Sequence, residues 1–216
     1  RKTLVIDQTR HKNRIKGFLG RNGIEIAREY TSQHWSMPFI QWIKDLTFND
    51  EPAAQVRDTL ITTLLNTRKA QLINIRQLRA HCRGEHIDPT FKLLLSVPGI
   101  GFKAAVTLYC EIIDIHRFSR DDKLYAYFGL APRLTSSDET QKNHGISNRR
   151  NPFLRHIIIE CAWIAVRNDP ALTLAFDKLT LRMSKQQAII RMARKLVSRI
   201  RAVWKTKTPY AMGMIQ

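Results

Sequence analysis

Residues 93–108 read LLLSVPGIGFKAAVTL, in which the turn sequence PGIG separates two apolar segments. Gly99 and Gly101 permit a tight turn that side chains would block, so the stretch predicts a helix, a turn and a second helix. The free N–H groups and the positive dipole end of the second helix suit a phosphate oxygen. Lys103 lies in the first turn of that helix and adds a positive charge.

This hairpin resembles the helix-hairpin-helix motif of DNA-binding proteins. The resemblance implies that the backbone at Gly99, Ile100 and Gly101, together with Lys103, contacts phosphates and positions a duplex without reading its bases. A pair of helices used only for packing would show the same pattern, and that alternative stays open.

The composition of the whole chain favours a polyanionic partner. The 216 residues include 36 Lys and Arg against 18 Asp and Glu, a net charge of +18. Chains this basic bind polyanions, most often nucleic acid. No apolar run approaches the roughly 18 residues of a membrane span, no export leader is visible, and the three scattered cysteines favour a reducing compartment. We therefore expect a cytoplasmic protein without a membrane partner.

The apolar pattern predicts an all-α fold in two regions. Residues 1–90 contain a basic helix at the start and a long helix from about residue 50 to 83, which predict a helical connector that forms a hairpin or an interchain coiled coil. Thr67 and Gln71 interrupt the apolar stripe of the long helix. Residues 91–216 predict a compact helical domain that contains the hairpin. A polar loop over residues 133–148, here called the serine loop, divides this domain and is a usual place for reactive groups.

The last predicted helix is amphipathic and cationic. From Lys178 to the end there are ten Lys or Arg and no acidic residue. One face is apolar, and the opposite arc predicts a cationic strip for a phosphate backbone. The strip residues proposed as DNA or RNA contacts are Arg191, Arg194, Lys195, Arg199 and Arg201.

Several motifs, in order along the chain, resemble the transposases of the insertion sequence 110/116/902 family. The matching positions are Pro98–Gly101, Arg117-Phe118, Phe128–Pro132, Ser136-Ser137, Gly145–Ser147, Asn151, Leu154-Arg155, Ala193–Leu196 and Tyr210. The resemblance covers residues 90–210 well and the preceding helical region more weakly.

The resemblance implies a serine nucleophile that becomes covalently joined to a DNA phosphate. The matching serine is Ser137, with the adjacent Ser136 as the alternative; the family usually has Gly after this serine, where this chain has Asp138. Cations around the serine loop are candidates for stabilising the phosphorane. They are Arg133, Lys142, Arg149, Arg150 and Arg155.

The resemblance also implies partners and a missing domain. Family members recombine bacterial or archaeal DNA under the guidance of a structured RNA, and we expect a homo-oligomer, either a dimer or a tetramer. They carry metal-binding carboxylates in an N-terminal ribonuclease-H-like domain. Because the chain starts at Arg1 in mid-pattern, we expect a piece of a longer protein, with Mg²⁺ in that other domain and no metal or cofactor here. The piece alone is expected to bind nucleic acid without completing recombination.

Two other functions fit the sequence. One is a non-catalytic helix-hairpin-helix DNA-binding module. The other is a DNA glycosylase/lyase in which Lys103 attacks the sugar and Asp121, 18 residues later, assists. Asp121 lies in the polar sequence RFSRDD, unlike the apolar context of that family.

Overall fold

The computed structural model describes residues 2–31, 35–48, 51–84, 88–135, 142–146 and 151–212. Within these ranges the chain is helical apart from one two-stranded hairpin, which confirms the predicted all-α class. The chain divides into two compact units, Arg1–Ile87 and Asp88–Gln216. None of the helices described is both long enough and apolar enough to cross a membrane.

The first unit contains helices whose limits follow local capping signals. Ser36 is the N-cap of the third helix, where its Oγ accepts a hydrogen bond from the amide of Phe39, and Pro38 occupies the first turn. The helices are α1 (Lys2–Arg21), α2 (Arg28–Thr31), α3 (Met37–Asp45) and α4 (Glu51–His81).

The core of the first unit lies where α1 packs against α4. Ile15 and Leu19 of α1 share an apolar cluster with Ile61 and Leu64 of α4 and with the buried side chains of α3. This cluster accounts for the helical spacing of apolar residues in the long helix. The long helix therefore has an intrachain partner, whereas an interchain coiled coil stays a prediction.

Gln71 explains one of the two polar interruptions in the α4 stripe. Its Nε2 donates to the carbonyl oxygen of Leu4 at 2.7 Å and to Oε1 of Gln8 at 3.4 Å, so it binds α4 to the start of α1. Because Leu4 meets Gln71 while the end of α1 meets Leu64, the two helices run antiparallel. Thr67 instead donates to the carbonyl of Thr63 within its own helix.

The second unit begins with a capped helix. Asp88 is the N-cap of α5, and its Oδ1 accepts a hydrogen bond from the amide of Thr90 at 2.8 Å. The predicted boundary after residue 90 would cut this helix. The elements are α5 (Pro89–Leu95), α6 (Phe102–Ile112), α7 (Asp121–Tyr127), β1 (Pro132–Thr135), β2 (Lys142–Ile146), α8 (Pro152–Asn168), α9 (Pro170–Thr180) and α10 (Lys185–Thr206).

Helix α10 is the centre of the second unit and packs against α5, α7, α8 and α9. Its predicted apolar face is buried, with Leu196 and Ile200 completely inaccessible. Trp204 near its end stacks on Tyr109 of α6, with ring centroids 5.9 Å apart. Burial of this face stabilises the packing of α5, α7, α8 and α9 on α10.

The serine loop is more regular than the sequence predicted. Its ends form the antiparallel strands β1 and β2, in which Leu134 pairs with Asn143 and Thr135 with Lys142. Pairing satisfies backbone groups within the hairpin itself. The strands are only four and five residues long, PRLT begins with Pro and KNHGI is mostly polar, so the pattern could not distinguish them from a loop.

Candidate nucleic-acid interface

The predicted hairpin is present as α5, the turn at residues 96–101 and α6, and its two glycines have different functions. Gly99 has a φ of +82°, and a Cβ there would overlap the carbonyl oxygen of Cys161 and lie 2.9 Å from the amide nitrogen of Ala165. Both of those residues belong to α8. Gly99 therefore permits the turn to pack directly on α8, and the predicted contact of its backbone with a phosphate stays a prediction.

Gly101 is the glycine that leaves space for a ligand. It is exposed, it is the N-cap of α6 without any side-chain cap, and a Cβ there would meet nothing within 4 Å. An anion at this point would meet backbone N–H groups of the first helical turn. The side chain of Lys103 is exposed in the same turn. Ile100, also predicted as a contact, is 5% exposed and belongs to the core, so only its backbone could take part.

The C-terminal tail (residues 207–212) lies against α5 and the turn that follows it. Nζ of Lys207 donates to Oγ1 of Thr90 at 2.6 Å, and the amide of Tyr210 donates to Oγ of Ser96 at 2.8 Å. Lys207 ends α10 in the left-handed conformation, with a φ of 57°, which turns the tail back towards α5. The tail thus contacts both α5 and the turn that leads to α6.

Asp169 anchors this arrangement from the junction of α8 and α9. It is completely buried, caps α9 through the amides of Ala171 and Leu172, and accepts hydrogen bonds from Nη1 of Arg199 at 2.9 Å and from the hydroxyl of Tyr210. Burial acts to raise the pKa of Asp169, but these hydrogen bonds and the Arg199 charge outweigh it and hold the pKa below its usual range. Burial and the hydrogen bond to Asp169 raise the pKa of Tyr210 to about 12.

Arg201 is also held within the fold. Its guanidinium donates to Oδ1 of Asp121 at 2.7 Å and to the carbonyl oxygens of Phe118 and Ser119. Ser198 on the preceding turn of α10 donates to the other oxygen of Asp121 at 2.6 Å. This network fixes the segment before α7 to α10.

The same network weakens the glycosylase/lyase alternative. Both carboxylate oxygens of Asp121 accept hydrogen bonds from α10, and the hydroxyl of Tyr125 lies 3.4 Å from one of them. Because both of its oxygens already accept hydrogen bonds within the fold, this carboxylate is poorly suited to assist a lysine nucleophile. The side chain of Lys103 is exposed and makes no hydrogen bond or ion pair among the described contacts.

Both ends of the serine loop are fixed by polar contacts. Before it, the guanidinium of Arg194 donates through Nε and Nη2 to the carbonyl of Leu130, at 2.8 and 2.5 Å. After it, Oδ1 of Asn151 caps α8 by accepting from the amide of Leu154, while Nδ2 donates to Oε2 of Glu111 at 3.3 Å. Arg155 is half-buried in the first turn of α8.

Six of the predicted site residues in and around the serine loop have side chains outside the described part of the chain. Ser136, Ser137, Arg149 and Arg150 lie outside the described residues. Arg133 lies in β1 and Lys142 in β2, and their side chains lie outside the described part of the chain. The roles assigned to these six residues stay predictions.

The predicted cationic strip on α10 divides into two groups. Arg194, Arg199 and Arg201 donate to internal carbonyl or carboxylate oxygens, so their guanidinium groups hold the fold together. Arg191 and Lys195 are exposed and have no such partner. Helical periodicity separates apolar from polar positions, but it does not tell which polar positions neighbouring elements will cover.

Neither a metal-ligand cluster nor a reactive Cys161 thiol is found in the described ranges. Within them, no three or more His, Cys, Asp or Glu side chains are grouped so that they could hold a metal ion. Cys161 is 5% exposed, and burial raises the pKa of its thiol to about 12, which makes it inert.

The second unit is a basic helical domain with an open N-terminus at α6 and a serine loop whose flanking residues Leu130 and Asn151 are held by hydrogen bonds. Residues 91–176 match the model of the Transposase IS116/IS110/IS902 family. The chain belongs to this family, which confirms the resemblance found in the sequence. The matched range includes α6, the serine loop and α8.

Curated relatives agree with this assignment. The chain is 30% identical over 168 residues to the transposase for insertion sequence element IS1111A of Coxiella burnetii, which covers 78% of this chain and 45% of the relative. It is 28% identical over 221 residues to the putative transposase y4rJ of Sinorhizobium fredii, covering 95% of this chain and 54% of the relative. The chain thus spans about half the length of these relatives.

Proposed function

We propose that this chain is part of a DNA transposase that cuts and rejoins DNA through a serine nucleophile. The observation that carries the proposal is the family match over residues 91–176, a range that holds both the open N-terminus of α6 and the serine loop. DNA is the substrate, and the chain acts within the longer protein. The isolated chain is expected to bind nucleic acid without completing strand exchange.

DNA contact is assigned first to the N-terminus of α6. The exposed Gly101 and the space around it support close approach of a phosphate group, and Lys103 supplies a charge in the same turn. Such contacts hold a duplex in position and do not read its sequence. The packing of Gly99 on α8 keeps the turn in place relative to the helix that follows the serine loop.

The chemical step is assigned to Ser137, with Ser136 as the alternative. A base removes the hydroxyl proton, Oγ bonds to the phosphorus, and the bond from phosphorus to one deoxyribose oxygen breaks; that oxygen leaves with a proton. The covalent serine–phosphate link conserves the energy of the phosphodiester for rejoining. Guanidinium groups stabilise the extra charge on the phosphorane. The candidates are Arg133, Lys142, Arg149, Arg150 and Arg155.

Three further parts of the proposal rest on the family resemblance alone. They are a structured guide RNA, a homo-oligomeric assembly, and Mg²⁺ bound by carboxylates of a ribonuclease-H-like domain. The described residues of this chain contain no cluster that fits a metal ion, so none of its side chains is assigned a metal-dependent step.

The test is a search for a covalent protein–DNA adduct on a denaturing gel. The full-length protein is incubated with donor DNA, target DNA and the RNA of the element, as wild type, Ser137→Ala and Ser136→Ala. We expect an adduct that only Ser137→Ala abolishes. Loss with Ser136→Ala alone would move the nucleophile by one position. If wild type binds DNA but forms no adduct, the serine mechanism is wrong.

A non-catalytic DNA-binding module is the second candidate. The uncapped N-terminus of α6 supports it equally well, because phosphate binding there requires no chemistry in the serine loop. The adduct experiment separates the two candidates, since a binding module would retain DNA affinity without ever joining DNA covalently.

A further inference from the structure

A cationic groove lies where the end of α9 meets the start of α10. Four basic side chains line it, Lys178 and Arg182 from the α9 side and Arg191 and Lys195 from α10, around a volume of about 510 Å³. No carboxylate lines this groove in the described part of the chain. The sequence predicted only Arg191 and Lys195 as nucleic-acid contacts. The fold places Lys178 and Arg182 in the same groove.

The floor of this α9–α10 groove is apolar. Its apolar lining residues are Ala175, Leu179, Leu181 and Met183, and Leu181 is 85% exposed. The combination of an apolar floor with charged side chains around it is typical of a binding site.

The four rim cations are free to bind a ligand. None of them makes a hydrogen bond or ion pair among the described contacts, in contrast to Arg194, Arg199 and Arg201 on the same helix. Asp177, next to Lys178, is the last acidic residue of the sequence, so the other three cations have no acidic neighbour after them along the chain. The rim therefore complements an anionic ligand with several charges.

We propose that the α9–α10 groove binds a single-stranded segment of nucleic acid. The rim cations take successive phosphates, and the apolar floor takes the face of an unpaired base. A duplex keeps its bases stacked inside and would present only sugars and phosphates, which would leave the apolar floor without a partner. This inference rests on the proposed function, since strand exchange in DNA exposes unpaired strands.

The test measures binding of the 216-residue chain to a labelled single strand and to its duplex over a range of salt concentrations. The rim variant replaces the four cations by Gln (Lys178→Gln, Arg182→Gln, Arg191→Gln, Lys195→Gln). A floor variant, Leu181→Ser, changes no charge. A control removes the same charge from exposed cations of the first unit (Lys44→Gln, Lys69→Gln, Arg76→Gln, Arg83→Gln).

The rim variant should bind the single strand at least about tenfold more weakly, with a salt slope reduced by about 2 to 3, as expected for three or four phosphates lost. Leu181→Ser should weaken single-strand binding by up to about tenfold without changing the slope. Duplex affinity should change much less in both. The control should keep the wild-type slope for the single strand, and circular dichroism should show all variants folded.

Three outcomes would overturn the proposal. Equal losses for duplex and single strand would assign the groove to the duplex backbone. Unchanged single-strand binding would remove nucleic acid from the groove altogether. Loss of binding to a labelled Glu-rich peptide, with single-strand binding kept, would assign it to an acidic protein segment. None of these results depends on the covalent adduct, so failure of the groove and failure of the serine mechanism are distinguishable.

Discussion

Gly99 and Cys161 are in direct backbone contact: a Cβ on Gly99 would overlap the carbonyl oxygen of Cys161 in α8. The turn of the hairpin therefore packs directly against α8, the helix that follows the serine loop. Two residues later, Gly101 faces open space at the start of α6. One glycine of the PGIG sequence thus serves packing, and the other serves access to the helix N-terminus.

Exchanging each glycine for alanine should separate these two roles. Gly99→Ala combines a φ of +82° with a backbone overlap, and we expect it to lower the free energy of unfolding by about 2–5 kcal/mol. Gly101→Ala, at a φ of −83° with no neighbour, should cost no more than about 1 kcal/mol. Urea unfolding measures both, and equal costs would contradict the assignment.

Asp169→Asn should destabilise the second unit strongly. The substitution leaves the guanidinium of Arg199 without its buried counter-ion and weakens the acceptor of the Tyr210 hydroxyl. We expect a loss of about 2–4 kcal/mol in the free energy of unfolding. Asp177→Asn, an exposed acid on the same α9, is the matched control and should change stability by less than about 0.5 kcal/mol. Similar losses would mean that the Asp169 network contributes little.

Tyr210 should give the protein an alkaline stability loss. Its pKa is raised to about 12 in the folded state from the ordinary value of 10.0, so the folded protein holds this proton more tightly than the unfolded chain. Its contribution is complete below pH 10 and is lost as the pH rises towards 12. Phenolate absorbance should show a late-titrating tyrosine in wild type that is missing from Tyr210→Phe. The unfolding free energy of the variant should fall less steeply over the same interval, and identical curves would refute this.

Arg194→Lys should disturb the start of the serine loop. Lysine cannot reproduce the paired Nε and Nη2 hydrogen bonds to the Leu130 carbonyl, so we expect a loss of about 1–3 kcal/mol. Arg191→Lys, one turn earlier and exposed, should be neutral in the same thermal or urea unfolding experiment. If both variants unfold like wild type, Arg194 does not anchor the loop.

The sequence predicted the elements whose signals are local. The PGIG sequence identified the turn between α5 and α6, and the period of apolar residues in α10 identified its buried face, because both signals depend on residues within a few positions of each other. The family resemblance, carried by motifs such as those at Gly99 and Asn151, is also confirmed.

The sequence pattern could not predict contacts between residues that are far apart along the chain. On a helical wheel Arg199 and Arg201 lie on the cationic strip of α10. Their hydrogen-bond partners Asp169 and Asp121 are 30 and 80 residues away along the chain. The same holds for the contact between Gly99 and α8, which assigns that glycine to packing. The sequence pattern also did not identify Lys178 and Arg182 as groove residues, because only the fold places them beside α10.

The most direct test of the account is the salt dependence of duplex DNA binding at the N-terminus of α6. Lys103→Gln should weaken binding at low salt and reduce the slope of log affinity against log salt by about 0.9, the loss of one phosphate contact. Lys123→Gln removes the same charge from an exposed position on α7 and should leave the slope unchanged. Equal slopes for Lys103→Gln and wild type would contradict the claim that this helix end holds the DNA backbone.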